Sequence, residues 1–299
     1  MSPDQQKVTV QVEGRTLTLS NLAKVLYPEV GFTKGEVIDY YLRIAPVLLP
    51  HIAGRPLTFK RYPDGVAGKF FYEKNAPVHR PNWVPTRELA APSSSRSAKT
   101  VRYVIAGDTP TLIWAANLAD LEIHTPMWRV PHIGEPDLLV FDLDPGPPAT
   151  ILECAQVAQL LRPLLDELGL RALPKSSGSK GMQLYAAVSG WTSTQTSDLA
   201  HTLADHLAAT RPDLVVSTMT KADRAGKVLI DWSQNNAAKT TAAPYSLRAM
   251  TRPTASTPLT WAEVAACRAP ADLAFTAPQV LARVTEHGDL LAPLLTPAG

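Results

Sequence analysis

Apolar and polar residues alternate at Val8-Thr-Val-Gln-Val12 and again at Arg15-Thr-Leu-Thr-Leu19, the period of two that marks half-buried strands. Glu13-Gly14 between them suits the turn of a hairpin. The period then lengthens. From Val37 to Leu49 apolar residues recur at helical spacing, and Thr33-Lys-Gly-Glu36 in front of them has the spacing of a capping box, so a helix is predicted to start there. Helical patterns recur at Pro110–Leu121, Ile151–Leu168 and Ser197–Ala209, each followed by a strand-like run. Gly169 is placed to end the third of these four helices. Thr260-Trp-Ala-Glu263 repeats the capping box and predicts a last helix. The whole reads as a mixed α/β (α+β) architecture without internal repeats.

Two of the strand-like runs end in carboxylates. Asp137-Leu-Leu-Val-Phe-Asp-Leu-Asp-Pro-Gly146 reads as a buried strand stopped by Pro145-Gly146. Asp142 and Asp144, two residues apart, would emerge on one side of it. Adjacent carboxylates repel each other, and a hard divalent cation between them removes the repulsion. The alternative is a solvated strand end running into an Asp-Pro turn. Lys227-Val-Leu-Ile-Asp-Trp-Ser-Gln234 is a second apolar run ending in a carboxylate, Asp231. Three carboxylates at the ends of two buried strands suit a two-metal site for phosphoryl transfer.

Between the acidic runs lies Lys175-Ser-Ser-Gly-Ser-Lys-Gly181, followed by the strand-like Met182-Gln-Leu-Tyr-Ala-Ala-Val188. Backbone N–H groups of such a small-residue loop approach phosphate oxygens closely, and Lys180 supplies charge. An ordinary flexible turn is the competing reading. The G-x-x-x-x-G-K-[ST] spacing of a P-loop is absent.

Composition narrows the classes. With 299 residues, 45% of them hydrophobic, the chain can bury a large core. Its length suggests about two domains, yet no clear linker divides it, and the polar stretch Ala91–Thr100 reads as a surface loop within one catalytic unit. A net charge of +2 announces no global basic field, so any nucleic-acid footprint must be local. Cys154 and Cys267 are far apart and outside any C-x-x-C pair, against structural zinc or a disulfide framework. No signal-peptide pattern opens the sequence, and no apolar run reaches the roughly 18 residues of a membrane span. The expectation is a soluble, cytoplasmic protein.

Further segments carry a family likeness: Ser20-Asn-Leu-Ala-Lys-Val-Leu-Tyr-Pro28, His51-Ile-Ala-Gly-Arg-Pro56, Lys60-Arg61, Phe71-Tyr-Glu-Lys74 and Leu121-Glu-Ile-His-Thr-Pro126. They continue with Val140-Phe-Asp-Leu-Asp-Pro145, Ser177-Gly-Ser-Lys-Gly181, Ser217-Thr-Met-Thr-Lys221, Arg224-Ala-Gly-Lys227, Asp231-Trp-Ser-Gln-Asn235, Lys239-Thr-Thr241 and Ala243-Pro-Tyr-Ser-Leu-Arg248. In this order, over about residues 17 to 295, the chain resembles the polymerase domain of bacterial DNA ligase D, within the archaeo-eukaryotic primase superfamily. The resemblance implies a primase-like core of two α/β modules around an acidic cleft. It also implies one primase-polymerase domain over residues 1–299, without ligase or phosphoesterase domain.

The resemblance also assigns residues. Asp142, Asp144 and Asp231 would bind two divalent ions, with manganese the family's preference, although all-oxygen ligands suit magnesium equally. His124, Ser177, Lys180, Arg224, Arg248, Lys60, Arg61 and Gln234 match positions that bind the incoming nucleotide. Their charge would stabilise the transferred phosphoryl group and the pyrophosphate leaving group. For each cation the plain alternative is a solvated surface charge, and for His124 a satisfied structural histidine. Phe71 and Tyr72 match an aromatic pair that stacks on bases, with Tyr72 where the family commonly has phenylalanine. Asn21, Lys24 and Lys34 match a pocket for the 5′-phosphate across a gap, and Lys34 would also lie in the first helical turn, where N–H groups favour an anion. The segment from Asn75 to Thr100 is the least family-like.

The expected activity is template-directed addition of nucleotides, ribonucleotides readily among them, to a 3′-OH at a short gap or double-strand break. The expected partners are NTPs or dNTPs, gapped, 5′-phosphorylated or broken DNA, Ku and a separate DNA ligase, with no membrane and a place on the bacterial nucleoid. A non-catalytic DNA-end-binding module and a D-x-D glycosyltransferase are the rivals. Intact carboxylates argue against the first, and Lys24, Lys34 and the aromatic pair are unexplained by the second.

Overall fold

The computed structural model describes residues 7–90 and 100–296. It forms two compact units, each assembled from separate stretches of chain. One comprises Met1–Thr125, Ala242–Ala255 and Thr276–Gly288, the other Pro126–Thr241, Ser256–Phe275 and Asp289–Gly299.

The first unit opens with the expected hairpin of β1 (Lys7–Val12) and β2 (Arg15–Ser20), in which Val8 faces Leu19 and Val10 faces Leu17. Glu13 and Gly14 have φ of 46° and 76°, the two positive values a type I′ turn requires. The short strands β3 (Val25–Tyr27) and β4 (Phe32–Thr33) lead into α1 (Lys34–Ile52). Thr33 and Glu36 form the full capping box in front of it, and Val37, Tyr40, Tyr41, Ile44 and Leu48 form its buried face at helical spacing. There follow β5 (Thr58–Arg61), β6 (Phe71–Glu73), β7 (Thr86–Ala90), β8 (Thr100–Val104), α2 (Thr109–Asn117) and β9 (Asp120–Thr125). β5 pairs antiparallel with both β6 and β9. The apolar pattern carried α2 on to Leu121. The helix stops at Asn117 because Ala119 turns into the left-handed region at φ 60°, which hands Leu121 to β9. The expected polar loop at 91–100 falls, but for Thr100, outside the described residues.

The second unit holds β10 (Leu138–Pro145), α3 (Ile151–Glu167), β11 (Ala172–Ser176), β12 (Met182–Ala187), α4 (Ser193–Thr210), β13 (Val215–Val216) and β14 (Val228–Asp231). Its five-stranded sheet has the order β11-β12-β10-β14-β13, with only the β13–β14 pair parallel. Leu139, Phe141 and Leu143 of β10 pack with Leu161 and Leu165 of α3 and Leu207 of α4. Each such side chain stabilises the unit by about 1.5–3 kcal/mol. Leu138 and Val140 point to the other face, where Leu291 and Leu294 cover them. Gly169 (φ 73°) ends α3 as expected: its N–H bonds Asp166 O at 3.0 Å and that of Leu170 bonds Leu165 O at 2.8 Å, a Schellman motif.

β15 (Thr241–Ala242) adds to β9, completing the four-stranded order β15-β9-β5-β6. α5 (Trp261–Ala266) follows the Thr260 capping box but is not the last helix, since α6 (Ala277–His287) comes after it behind a capping box of Thr276 and Gln279. α4 likewise begins four residues before the expected start, where Thr192 and Gln195 form a box that apolar periodicity alone overlooks. Lys175 and Ser176, expected in the loop, belong to β11, an edge strand that tolerates Pro174. No helix among the described residues is long and apolar enough to cross a membrane.

Candidate active site

The alternation that buries Leu139, Phe141 and Leu143 against the helices sends Asp142 and Asp144 to the opposite face of β10. The register sets Asp231 of β14 directly across from Asp142. Ligand oxygens of the three carboxylates lie within 4.8 Å of one another. Burial, with the charge of Asp144, pushes Asp142 up to about 7, against the pull of its bond from Gln183; Asp231 adds to the push and Lys175 opposes it. Short bonds orient the group. Gln183 Nε2 donates to Asp142 Oδ1 at 2.8 Å, Ser233 N and Oγ donate to Asp231 Oδ1 at 3.1 and 2.6 Å, and Gln234 Nε2 donates to Asp231 Oδ2 at 2.8 Å. Gln234, matched to a nucleotide contact, thus holds a carboxylate here. Mutually repelling, partly buried oxygen donors fit a hard divalent cation, whose charge would remove the repulsion.

Two glycines bring neighbouring segments against this strand end. A Cβ on Gly181 would stand 2.2 Å from Leu143 O, and one on Gly146 would stand 1.9 Å from Arg224 O. Only glycine permits either approach. Gly146 N–H also donates to Lys227 O at 2.8 Å, and Gly226 N–H to Gly146 O at 3.0 Å, so the segment carrying Arg224 is fastened beside the acidic strand. Arg224 Nη2 donates to Met219 O at 2.6 Å. In the loop 177–181, Ser177 Oγ accepts from the N–H groups of Ser179 and Gly181 at 3.2 and 3.1 Å. Those two amides are therefore engaged in shaping the turn, and the exposed Lys180 is the loop's cation.

In the first unit Lys60, His124 and Arg248, three of the four nucleotide-matched residues there, gather on one carboxylate that received no role from the sequence. Glu122, 2% exposed, lies 2.9 Å from His124 Nε2, 3.1 Å from Arg248 Nε and 3.5 Å from Lys60 Nζ. Ala249 N–H and the Tyr62 hydroxyl also donate to it, at 3.1 and 3.4 Å. Burial alone would raise its pKa. The His124 bond and the charges of Arg248, His124 and Lys60 outweigh burial and hold it at about 2. Burial lowers the pKa of His124; Glu122 opposes this, and Arg248 and Lys60 add to the lowering. The available signal was a charged residue at alternate spacing within an apolar strand, two before the histidine.

Lys60-Arg61 and Phe71-Tyr72, read as pairs, are divided between the two faces of this sheet. Lys60 opposes Glu122 and Tyr72, whereas Arg61 opposes Asp120 and Phe71. Leu121 is the extra residue of a bulge that sends Asp120 and Glu122, two apart, to opposite sides. On the Glu122 face Lys60 lies 4.2 Å from the ring centre of Phe70 and 5.8 Å from that of Tyr72, which packs edge-on to His124. On the other face Arg61 stands 5.2 Å over Phe71, bonds Leu118 O, and approaches Glu73 and Asp120 at 3.3 Å each. Phe71 and Tyr72 are 45% and 58% exposed, so neither is a core ring.

Lys34 is buried, and its Nζ donates to Ser20 O at 2.6 Å. Burial, then the nearby charges of Lys24 and Arg61, lower it to about 8. Lys24 pairs with Asp64 at 3.0 Å. Asn21, at φ 55°, closes the turn whose carbonyl receives Lys24 N–H at 3.0 Å. The start of α1 differs from expectation. The N–H groups of Lys34, Gly35 and Glu36 bond Lys24 O, Leu22 O and Thr33 Oγ1, and the Glu36 carboxylate accepts from Thr33 N–H, so side chains must supply any anion site here.

Residues 33–291 match the family model of the LigD primase-polymerase domain. The chain is 46% identical over 279 residues to the multifunctional non-homologous end joining protein LigD of Mycolicibacterium smegmatis, covering 92% of this chain and 36% of that protein. It is 31% identical to the bifunctional non-homologous end joining protein LigD of Bacillus subtilis, over 91% of this chain and 43% of the relative. The chain thus spans less than half the length of either. Among solved structures it superimposes on the polymerase domain of Mycobacterium tuberculosis ligase D in complex with DNA, with a TM-score of 0.86 and 43% identity over 95% of this chain and 99% of the other.

Proposed function

Because the chain belongs to the LigD primase-polymerase family, we propose that it is a template-directed nucleotidyltransferase that fills short gaps or extends 3′ ends at DNA breaks during end joining. The observation that carries this reading is the trio of Asp142, Asp144 and Asp231, ligand oxygens within 4.8 Å, on a strand end to which Gly146 and Gly181 fasten two cation-bearing segments. Both units are read as one catalytic domain, since the family match runs through both.

Divalent ions held by the trio, manganese by preference, would activate the primer 3′-hydroxyl and offset charge on the α-phosphate and the pyrophosphate. The remaining work falls to the chain's own groups. Ser233, Gln234 and Gln183 fix the carboxylates before any nucleotide arrives. Arg224 and Lys180 are the cations for the triphosphate in the second unit. In the first unit Lys60, His124 and Arg248 are the groups matched to the incoming nucleotide, held ready by Glu122. A triphosphate beside His124 would favour its protonated form, letting both ring nitrogens donate. Tyr72 and Phe71 offer exposed ring faces to unpaired bases, and Lys24, Lys34 and Asn21 receive the downstream 5′-phosphate.

NTPs are accepted at least as readily as dNTPs in this reading, Ku and a DNA ligase are partners, and the protein works on the bacterial nucleoid in the cytoplasm. Primer extension on gapped duplexes, with each nucleotide set and either metal, tests it. Asp142→Ala/Asp144→Ala should lose nucleotide addition by at least about 10³-fold while keeping DNA binding, which phosphate contacts elsewhere supply. Extension near the wild-type rate in that variant would overturn the mechanism.

A further inference from the structure

One row of residues crosses the sheet of the second unit. Lys175 of β11 faces Gln183 of β12, Gln183 faces Asp142 of β10, and Asp142 faces Asp231 of β14. Residues opposite one another on neighbouring strands present their side chains on the same face. An ammonium, an amide and two carboxylates therefore stand side by side. Lys175 is fully buried. Its Nζ donates to Gln183 Oε1 and, at 2.5 Å, to Ser256 Oγ, and lies 5.2 Å from the ring centre of Tyr185. Gln183 passes the contact on, Nε2 donating to Asp142 Oδ1 at 2.8 Å.

A primary amide can present either end to a neighbour, and its two ends carry opposite partial charges. A cation on Oε1 decides the matter. Turned around, Gln183 would set its NH₂ against the ammonium and its oxygen against the carboxylate, two repulsions in place of two charge-assisted bonds. A buried ammonium is costly unless negative charge compensates it. The carboxylates one step along the row supply negative charge, and the charge of Lys175 acts on Asp142 in turn. A lysine retained in the core at this cost, aimed through one amide at a candidate metal ligand, does more than fill space.

We propose that Lys175 is a positioning residue of the metal site, acting through Gln183 to hold Asp142 in the orientation in which the trio accepts a divalent ion. The proposal rests on reading Asp142, Asp144 and Asp231 as metal ligands. Neither Lys175 nor Gln183 needs to touch the ion, the nucleotide or DNA.

The test is titration of nucleotide-free protein with MnCl₂, following free Mn²⁺ by electron paramagnetic resonance, for wild type, Lys175→Met, Gln183→Leu and the double variant, with a melting curve for each. Each single variant should bind Mn²⁺ at least about tenfold more weakly, the usual loss when a residue orienting a metal ligand is removed. Since the lysine acts through the amide, the double variant should lose no more than about twofold beyond Lys175→Met. At saturating Mn²⁺ the nucleotide KM should stay near wild type. Wild-type Mn²⁺ affinity in both folded single variants, or losses that multiply in the double variant, would overturn the relay. If Lys175→Met fails to fold, Gln183→Leu decides alone, a tenfold loss supporting the relay and unchanged affinity overturning it. Wild type that binds no Mn²⁺ would instead overturn the metal-site reading, an outcome distinct from failure of the relay.

Discussion

The carboxylate trio of the second unit and the Glu122 cluster of the first are opposite solutions to the problem of partly buried charge. The trio concentrates negative charge beside donors such as Gln183, Ser233 and Gln234, and burial with the charge of Asp144 pushes Asp142 up to about 7. Glu122 collects Lys60, His124 and Arg248 and, despite burial, is held at about 2. One cluster carries excess negative charge and suits a cation. The other carries excess positive charge and suits an anion. A nucleotide accompanied by divalent ions carries charges of both kinds.

The widest separation between them should appear when one charge is removed from each. Glu122→Gln leaves the partly buried Lys60 and Arg248 without their shared counter-ion and should destabilise the protein by about 3 kcal/mol, in the range found when one partner of a buried pair is lost. Asp144→Asn relieves repulsion and should raise the melting temperature of metal-free protein by about 1–3 °C. Melting curves in chelator decide. A fall in both variants would mean that the trio is compensated within the protein and has no need of a metal.

The same opposition should appear against pH. Asp142 has a folded pKa of about 7, above its unfolded value near 3.8, so between these values the folded state binds more protons and stability falls as pH rises. Glu122 is held at about 2, below its unfolded value near 4.5. Its contribution is therefore present above about 4.5 and lost as pH falls toward 2. Denaturation of metal-free protein across pH 4–7 should show a downward contribution that Asp142→Asn removes, and excess Mn²⁺ should remove it as well. A slope unchanged by both treatments would assign it to other groups.

How far these clusters could be read from sequence follows from the range of the interactions that build them. The trio was legible because strand alternation places Asp142 with Asp144, and an apolar run ending in a carboxylate identified Asp231; only the register that sets Asp142 opposite Asp231 had to come from the fold. Capping boxes located the starts of α1 and α5, and Gly169 the end of α3, since these signals lie within four residues of one another. Glu122 was not legible as a hub, because Arg248 reaches it from 126 residues away in sequence. Nor was the bulge at Leu121, which divides Lys60 from Arg61 and Phe71 from Tyr72. Lys175 looked like a loop cation and is a core residue, a reversal set by which edge of the sheet β11 occupies.

The smallest expected effect sharpens the comparison at a third place, where Lys24, Lys34 and the charge of Arg61 crowd one another and Lys34 is lowered to about 8. Like the Glu122 cluster this site has excess positive charge, but its Asp64 partner is exposed and weakly held. A 5′-phosphate carries nearly two negative charges and should displace Asp64 from Lys24. Gapped DNA with a 5′-phosphate should therefore bind about tenfold more tightly than the 5′-hydroxyl form, a difference of about 1.4 kcal/mol. The preference should shrink in added salt and weaken as pH rises past about 8, where Lys34 loses its proton. Lys24→Ala/Lys34→Ala should abolish the preference yet keep addition on a simple primer–template at saturating DNA, because the carboxylate trio and the Glu122 cluster are untouched. Fluorescence anisotropy with matched phosphate and hydroxyl gaps measures it. Equal binding of both ends by wild type, or loss of addition on every substrate in the variant, would remove the phosphate from this site and leave the lysines a structural role, as the Lys34 bond to Ser20 O already suggests for one of them.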